Sequence, residues 1–230
     1  AITSVEIPST VKTIDYSAFQ GCEALRSITV PDSVTKLETY AFDGCSALKT
    51  VVIGNGLAKI DFGVFRNCIS LEKVTLGANV TTIDTAFSDC TALSEIVWND
   101  KIETIGDRAF SDCTALRSLS IPASVKTIGS SAFRDCTGLK EINFGAKLET
   151  IGEYAFYGCE SIKSLNTGLN LQSIGAYSFA HCVLLESIEF PDTLERVDMS
   201  AFSYCEKLKD LYFSDSVLYF CYDIFYSPFD

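Results

Sequence analysis

Ten cysteines stand in this 230-residue chain, and nine of them fall on one spacing: Cys22, Cys45, Cys68, Cys90, Cys113, Cys136, Cys159, Cys182 and Cys205. Thiols can bridge, bind metal or attack an electrophile, and the spacing bears on each option. Metal binding is set aside, because no Cys-x-x-Cys or Cys/His pair has ligand spacing. A disulfide needs Cα atoms within roughly 4.4–6.8 Å. If each repeat carries a short helical turn, neighbouring turns pack at about 8–10 Å. The ladder cysteines therefore read as buried free thiols acting as small hydrophobes, with occasional disulfides as the alternative. Cys221 falls out of phase and is either an exposed, reactive thiol or a buried end-cap residue. The one histidine, His181, occupies a slot held elsewhere by Gly21, Asp89, Asp112 and Asp135, and reads as a convex surface residue. No serine or cysteine is paired with it as a nucleophile requires. No phosphate-cradling glycine loop or EF-hand spacing occurs. The sequence therefore offers no catalytic, metal or cofactor site.

The cysteines belong to a longer phrase. Phe stands at 19, 42, 65, 87, 110, 133, 156, 179, 202 and 225, at intervals of 23 residues with a single 22. A fixed period of this length implies a solenoid in which each repeat stacks on the next. One domain over 1–230 is expected, with nine full repeats and an irregular one at 208–230. Alternating pairs such as Val5/Ile7, Ile28/Val30, Val51/Ile53, Ile96/Trp98 and Ile142/Phe144 predict ten short strands. Their neighbours lie a full repeat away, so the sheet is parallel. Pro8, Pro31, Gly54, Gly77 and Pro122 end strands. Ala, Phe and Cys at offsets 0, 1 and 4 share one face of a short helix, with Asp or Gly at its cap. The expected class is thus an α/β repeat solenoid. The fourth repeat lacks a residue between Ile83 and Phe87, which predicts a tighter helical segment. Thr167 takes an apolar strand slot and Pro228 the last ladder position.

Composition narrows the partners. Apolar residues make up 47% of the chain, enough for a continuous core, and the formal net charge is -12. Nucleic acid and anionic lipid both attract basic stripes, so neither is expected. No apolar run is long enough to span a bilayer. The chain begins at Ala1 and reads as a mature or excised segment.

The repeat resembles the BspA-like leucine-rich repeats, whose consensus runs approximately L-x-x-I-x-(I/L)-P-x-x-V-x-x-I-G-x-x-A-F-x-x-C. The best match is Leu116 to Cys136, LRSLSIPASVKTIGSSAFRDC. The resemblance implies a curved, right-handed leucine-rich-repeat coil with a parallel concave sheet and short convex helical turns. It also implies a cell-surface or secreted, non-enzymatic protein of bacteria or parasitic protists that adheres to host or microbial proteins. It supplies no catalytic residue.

In such a coil the outward strand positions meet ligand. The candidate face is Glu95, Ser118, Ser120, Glu141, Asn143, Ser164, Asn166, Ser187, Glu189, Asp210 and Tyr212. It is small and polar, with acid concentrated in the C-terminal half, and a basic patch on a protein ligand, or a glycan, would suit it. Trp98 reads as core packing. A structural spacer within a larger surface protein is the alternative function.

Overall fold

The alternation of buried and exposed residues in each repeat creates two strands, not one. A computed structural model describes residues 2–213 and 215–220. Nine longer strands are β2 (Ser27–Val30), β4 (Thr50–Ile53), β6 (Lys73–Thr75), β8 (Glu95–Val97), β10 (Ser118–Ser120), β12 (Glu141–Asn143), β14 (Ser164–Asn166), β16 (Ser187–Glu189) and β18 (Asp210–Tyr212). Each is followed by a two-residue strand, and one further two-residue strand, β1, precedes them all. These are β1 (Thr13–Ile14), β3 (Lys36–Leu37), β5 (Lys59–Ile60), β7 (Thr82–Ile83), β9 (Thr104–Ile105), β11 (Thr127–Ile128), β13 (Thr150–Ile151), β15 (Ser173–Ile174), β17 (Arg196–Val197) and β19 (Tyr219–Phe220). The second apolar pair of each repeat, whose structure the sequence reading left unassigned, supplies this second set. The strand expected at Val5 and Ile7 does not form; one bond, from Arg26 N–H to the Thr3 carbonyl, marks its place.

All strand pairs are parallel and join successive coils. The longer strands form a four-stranded sheet, β2-β4-β6-β8, and a five-stranded sheet, β10-β12-β14-β16-β18. The short strands β5 through β19 form one eight-stranded sheet, with β1 and β3 as a separate pair. The result is a parallel β-solenoid.

The expected convex helices are absent: no helix occurs among the described residues. The residue two before each Phe and the residue two after it both take positive φ, as at Arg108 (50°) and Asp112 (62°) around Phe110. A right-handed helix cannot pass through such positions, and each non-glycine example costs about 1–2 kcal/mol. The Gly/Asn/Asp preference at the later slot (Gly21, Gly44, Asn67, Asp89, Asp112, Asp135, Gly158), read from sequence as a convex surface position, therefore marks a left-handed turn. Backbone groups bond between coils instead, as Phe110 N–H does to the Ala132 carbonyl at 2.8 Å. The short fourth repeat accommodates its missing residue in the same way. Thr85 takes φ 46°, and its hydroxyl donates to the Asp107 carbonyl at 2.7 Å.

Inside, Phe19 through Phe202 form one continuous stack, with adjacent ring centroids 5.0–5.7 Å apart and planes within 4–8° of parallel. Coils this close overturn the spacing argument made for the thiols, since strand-spaced coils lie within disulfide reach. The nine ladder cysteines are nonetheless free, seven of them buried, with Cys22 and Cys205 half-buried. Their sulfurs have other partners. Cys113 Sγ donates to the Phe87 carbonyl at 3.4 Å and Cys136 Sγ to that of Phe110 at 3.3 Å, and the pattern recurs from Cys45 to Cys205. From Cys45 to Cys205 each thiol fills the lattice and donates to a carbonyl of the previous coil.

Glycine at the strand ends answers to backbone contact. A Cβ on Gly77 would lie 2.1 Å from the Gly54 carbonyl oxygen. Thr167 is fully buried between the levels of Phe144 and Phe190, and its hydroxyl donates to the Glu189 carbonyl at 3.0 Å. The polar substitution is thus satisfied. Cys221, Phe225 and Pro228 lie outside the described residues.

One charged side chain is buried within the turn stack. Asp43 accepts from Gln20 Nε2 at 2.9 Å, Arg66 Nε at 3.0 Å and Asn67 Nδ2 at 3.2 Å. Burial pushes its carboxyl up, but the hydrogen bonds from Arg66, Gln20 and Asn67 outweigh this and hold it below its ordinary value. Stability from this group is therefore present above the ordinary carboxylate range and lost as pH falls through the lowered one. Asp43→Ala should destabilise the fold by about 1–3 kcal/mol, since it strands the Arg66 charge. Asp43→Asn should flatten the acid limb of a urea-midpoint-versus-pH curve. An unchanged acid limb in Asp43→Asn would remove the carboxylate from this account.

Candidate functional site

Strand alternation decides which side chains can meet a ligand. In β10, β12, β14 and β16 the middle residue is buried and the flanking two are exposed. Ser118, Ser120, Glu141, Asn143, Ser164, Asn166, Ser187 and Glu189 all reach the outer face. Register sets them in two columns. Ser118 lies beside Glu141 and Ser120 beside Asn143. Asn143 lies beside Asn166, Ser164 beside Ser187 and Asn166 beside Glu189. For Asp210 and Tyr212 the description extends to the backbone, which β18 places beside Ser187 and Glu189.

Glu95 stands apart from this group. It is exposed on β8, in the other sheet, and accepts from Lys73 Nζ at 2.6 Å. Lys49 and Glu72 make a second such coil-to-coil pair at 2.8 Å. The N-terminal part of the face thus carries matched charge, while Glu141 and Glu189 have no ion pair among the described residues. Two apolar side chains also surface here: Val52, 42% exposed, and Val97, 36% exposed. They lie in the same column as Ser120, and sequence reading had passed over them as anchors.

Trp98 is half-buried against the core, its ring edge-on to Phe110 at 5.6 Å and 72°. The packing role read from sequence is correct. The ring also lines a cleft of about 210 Å³ with Ser94, Glu95, Ile96, Leu116, Ser118, Leu119 and Ser120. This cleft occupies the break between β8 and β10.

On the turn side, His181 is half-buried and stacks on Tyr204 at 4.4 Å and against Tyr157 at 5.0 Å. Tyr154 and Tyr177 stack beside them at 5.0 Å. Sequence reading missed this cluster, although Tyr154 and Tyr177 recur at the repeat period. A neighbouring groove of about 350 Å³ holds Asp89, Asp112, Asp135, Arg66, Arg108 and Arg134. Its acids are engaged locally, Asp112 by Ser111 Oγ and Asp135 by Arg134 Nε. Burial pushes up the thiols of Cys45, Cys90, Cys113, Cys136, Cys159, Cys182 and Cys205, Cys45 to about 12, which suppresses the thiolate that nucleophilic or metal chemistry would need. No helix among the described residues is long and apolar enough to cross a membrane.

Solved structures with this backbone arrangement are leucine-rich-repeat proteins of bacteria. A leucine-rich repeat protein from Bacteroides ovatus is 25% identical, with a TM-score of 0.54 over 88% of this chain and 70% of that chain. The pneumococcal vaccine antigen PcpA is 25% identical, with a TM-score of 0.59 over 92% of this chain and 64% of that chain. The leucine-rich repeat protein of T. pallidum is 25% identical, with a TM-score of 0.51 over 90% of this chain and 78% of that chain. Among curated protein sequences, none matches this chain. The model of the BspA-type leucine-rich repeat region, six copies long, matches residues 1–117 and 103–228. With its repeat period, its parallel stack and this match over nearly its whole length, the chain belongs to the BspA-type leucine-rich repeat family.

Proposed function

We propose that this segment is a non-enzymatic binding module, displayed at a cell surface or secreted, whose outer sheet face meets a protein ligand on a host or microbial surface. One observation carries the reading: the recurring Ala, Phe and Cys side chains are largely buried, while the variable residues of the longer strands stand in two exposed, evenly spaced columns on the outer sheet face. Such columns offer many weak contacts that add along an extended partner. The unpaired acids Glu141 and Glu189 favour a basic patch on that partner. Likeness to a protein described as a vaccine antigen supports the exposed location.

The test is an array of extracellular-matrix and microbial surface proteins probed with the purified chain. Glu141→Lys combined with Glu189→Lys should weaken a captured interaction about tenfold at low salt. Asp112→Lys combined with Asp135→Lys, on the turn side, should leave it within about twofold. Equal losses from the two pairs would end the sheet-face assignment. Small polar side chains such as Ser118, Ser164 and Ser187 suit a structural spacer as well. That reading gains if this segment captures nothing while a longer chain containing it does.

A further inference from the structure

The outer face is broken at one step, and the break has a steric cause. Every other pair of successive longer strands is hydrogen-bonded in register, although β12 and β14 share only Asn143–Asn166 and lack the bond from Lys163 or Ser164 N–H to the Lys140 carbonyl. Ser94 N–H and Glu95 N–H both reach the Glu72 carbonyl, at 3.0 and 3.1 Å. At the next coil the equivalent donors are Arg117 N–H and Ser118 N–H, and the equivalent acceptor is the Ser94 carbonyl. No bond joins them, and β8 and β10 do not pair. The opening is one-sided. At the same step β9 pairs with β11, and Phe110 stacks on Phe133 at 5.4 Å.

Side-chain size at the strand-end slot accounts for it. That slot runs Ile53, Leu76, Trp98, Ile121, Phe144, Thr167, Phe190, Phe213. Where a large ring is followed by a smaller residue the ladder fails or thins. Trp98 before Ile121 gives no pairing, and Phe144 before Thr167 gives the single register pair Asn143–Asn166. Where ring follows ring, Phe190 and Phe213 stack at 4.9 Å and pairing is complete.

We infer that the seam between β8 and β10 is a peptide site: an extended polypeptide lies across the face, inserts one apolar side chain between Trp98 and Leu119, and bonds to the backbone groups left open there. The inference deepens the proposed function and rests on the sheet face being the binding face. Several observations select this occupant. The cleft, about 210 Å³, exceeds the roughly 150 Å³ cavity that holds a benzene, so one leucine-sized side chain fits. The closed far side excludes insertion of a whole strand. The half-buried side chains of Ile96 and Trp98 supply the apolar part of a lining shared with Ser94, Ser118 and Ser120, which suits one hydrocarbon side chain carried on a polar backbone. The open N–H and C=O groups on the two strand edges match a peptide backbone. Val97, exposed beside the seam, extends the apolar surface, while Glu141, which has no ion pair among the described residues, flanks it with negative charge. The expected segment therefore carries an apolar residue with Lys or Arg nearby.

Trp98 is the only tryptophan in the chain, so its emission reports directly on the seam. The probes are the blocked peptides acetyl-Lys-Ser-Leu-Ser-Lys-amide and its Leu→Gly counterpart. The leucine peptide should change Trp98 emission saturably, and the glycine peptide should bind at least tenfold more weakly. Ser120→Tyr, which fills the mouth, should abolish the response, and Ser164→Tyr, two coils away on the same face, should not. Ile121→Phe should restore a ring-on-ring step, close the seam and also remove the response. Equal responses to both peptides, no response, or a response that survives Ser120→Tyr would overturn the site. An equal response to maltoheptaose would reassign it to glycan and overturn it too. If the peptides fail while Glu141→Lys/Glu189→Lys still weakens a protein ligand, only the seam is lost. If the peptides bind and no protein ligand is found, the seam stands and the wider platform falls.

Discussion

Phe110→Ala is expected to cost about 3–5 kcal/mol of folding free energy, the range for a fully buried aromatic. Phe110 has no exposed surface and stacks on both neighbours, Phe87 and Phe133, each at 5.4 Å. It also supports Trp98 edge-on. The truncation therefore removes apolar burial, two offset-stacked contacts and the support of the seam in one step. Stability in a repeat array is a sum of unit and nearest-neighbour terms. A break in mid-stack loosens both interfaces and should broaden the urea transition as well as shift it. Far-UV circular dichroism and Trp98 emission would measure the loss. Phe62→Ala, at a side chain 44% exposed, should cost about 1 kcal/mol or less. If the two substitutions cost the same, the ring stack is not what holds the coils together.

The second large effect is alkaline unfolding. Burial raises the thiols of Cys45, Cys90, Cys113, Cys136, Cys159, Cys182 and Cys205 above the ordinary thiol value; for Cys68 a hydrogen bond involving Cys90 is the larger cause, ahead of burial. Cys45 and Cys205 are pushed up to about 12. The sign follows from which state holds the proton. Below the ordinary value of 9.0 both states are protonated and the stabilisation is complete. Between 9.0 and about 12 the unfolded chain releases protons that the folded chain retains, so stability falls as pH rises. Cys45 and Cys205 each contribute roughly 1.4 kcal/mol per pH unit in that window. The other raised thiols act in the same direction, so the combined slope is steep against a typical domain's whole stability. The fold should collapse cooperatively within about one to two units above pH 9, and thiolate absorbance near 240 nm should appear with the loss of circular dichroism. Replacing Cys113 and Cys136 by alanine should make the pH dependence shallower. Gradual thiolate formation near pH 9 with the circular dichroism unchanged would show that the sulfurs are not inside.

Much of the architecture was legible because a stack demands the same side chain at the same place in every coil. Phe at 23-residue intervals, Cys three residues later and alternating apolar pairs are direct consequences of ring-on-ring and strand-on-strand packing. The same spacing misled at the turn. Ala, Phe and Cys at offsets 0, 1 and 4 suit a helical face, yet left-handed residues such as Arg108 and Asp112 send backbone bonds to the next coil. The clue was present in the Gly/Asn/Asp preference two residues after Phe, a slot whose sequence reading is a convex, outward-facing position. The outward columns were read directly, because a strand's side chains alternate by covalent geometry. Which acids are unpaired was not, because Lys73 meets Glu95 across a coil, 22 residues apart in sequence.

The sequence by itself determined the period, the parallel stack, the buried identity of the recurring residues and which positions of the longer strands face outward. All of these follow from local alternation repeated at a constant interval. Tertiary structure alone decided three things: turns in place of helices, thiols bonded to carbonyls in place of spaced apart, and a face opened between β8 and β10. Each depends on how one coil fits the next, as when Trp98 meets the smaller Ile121, and such fit between non-adjacent residues is not a property of either residue alone.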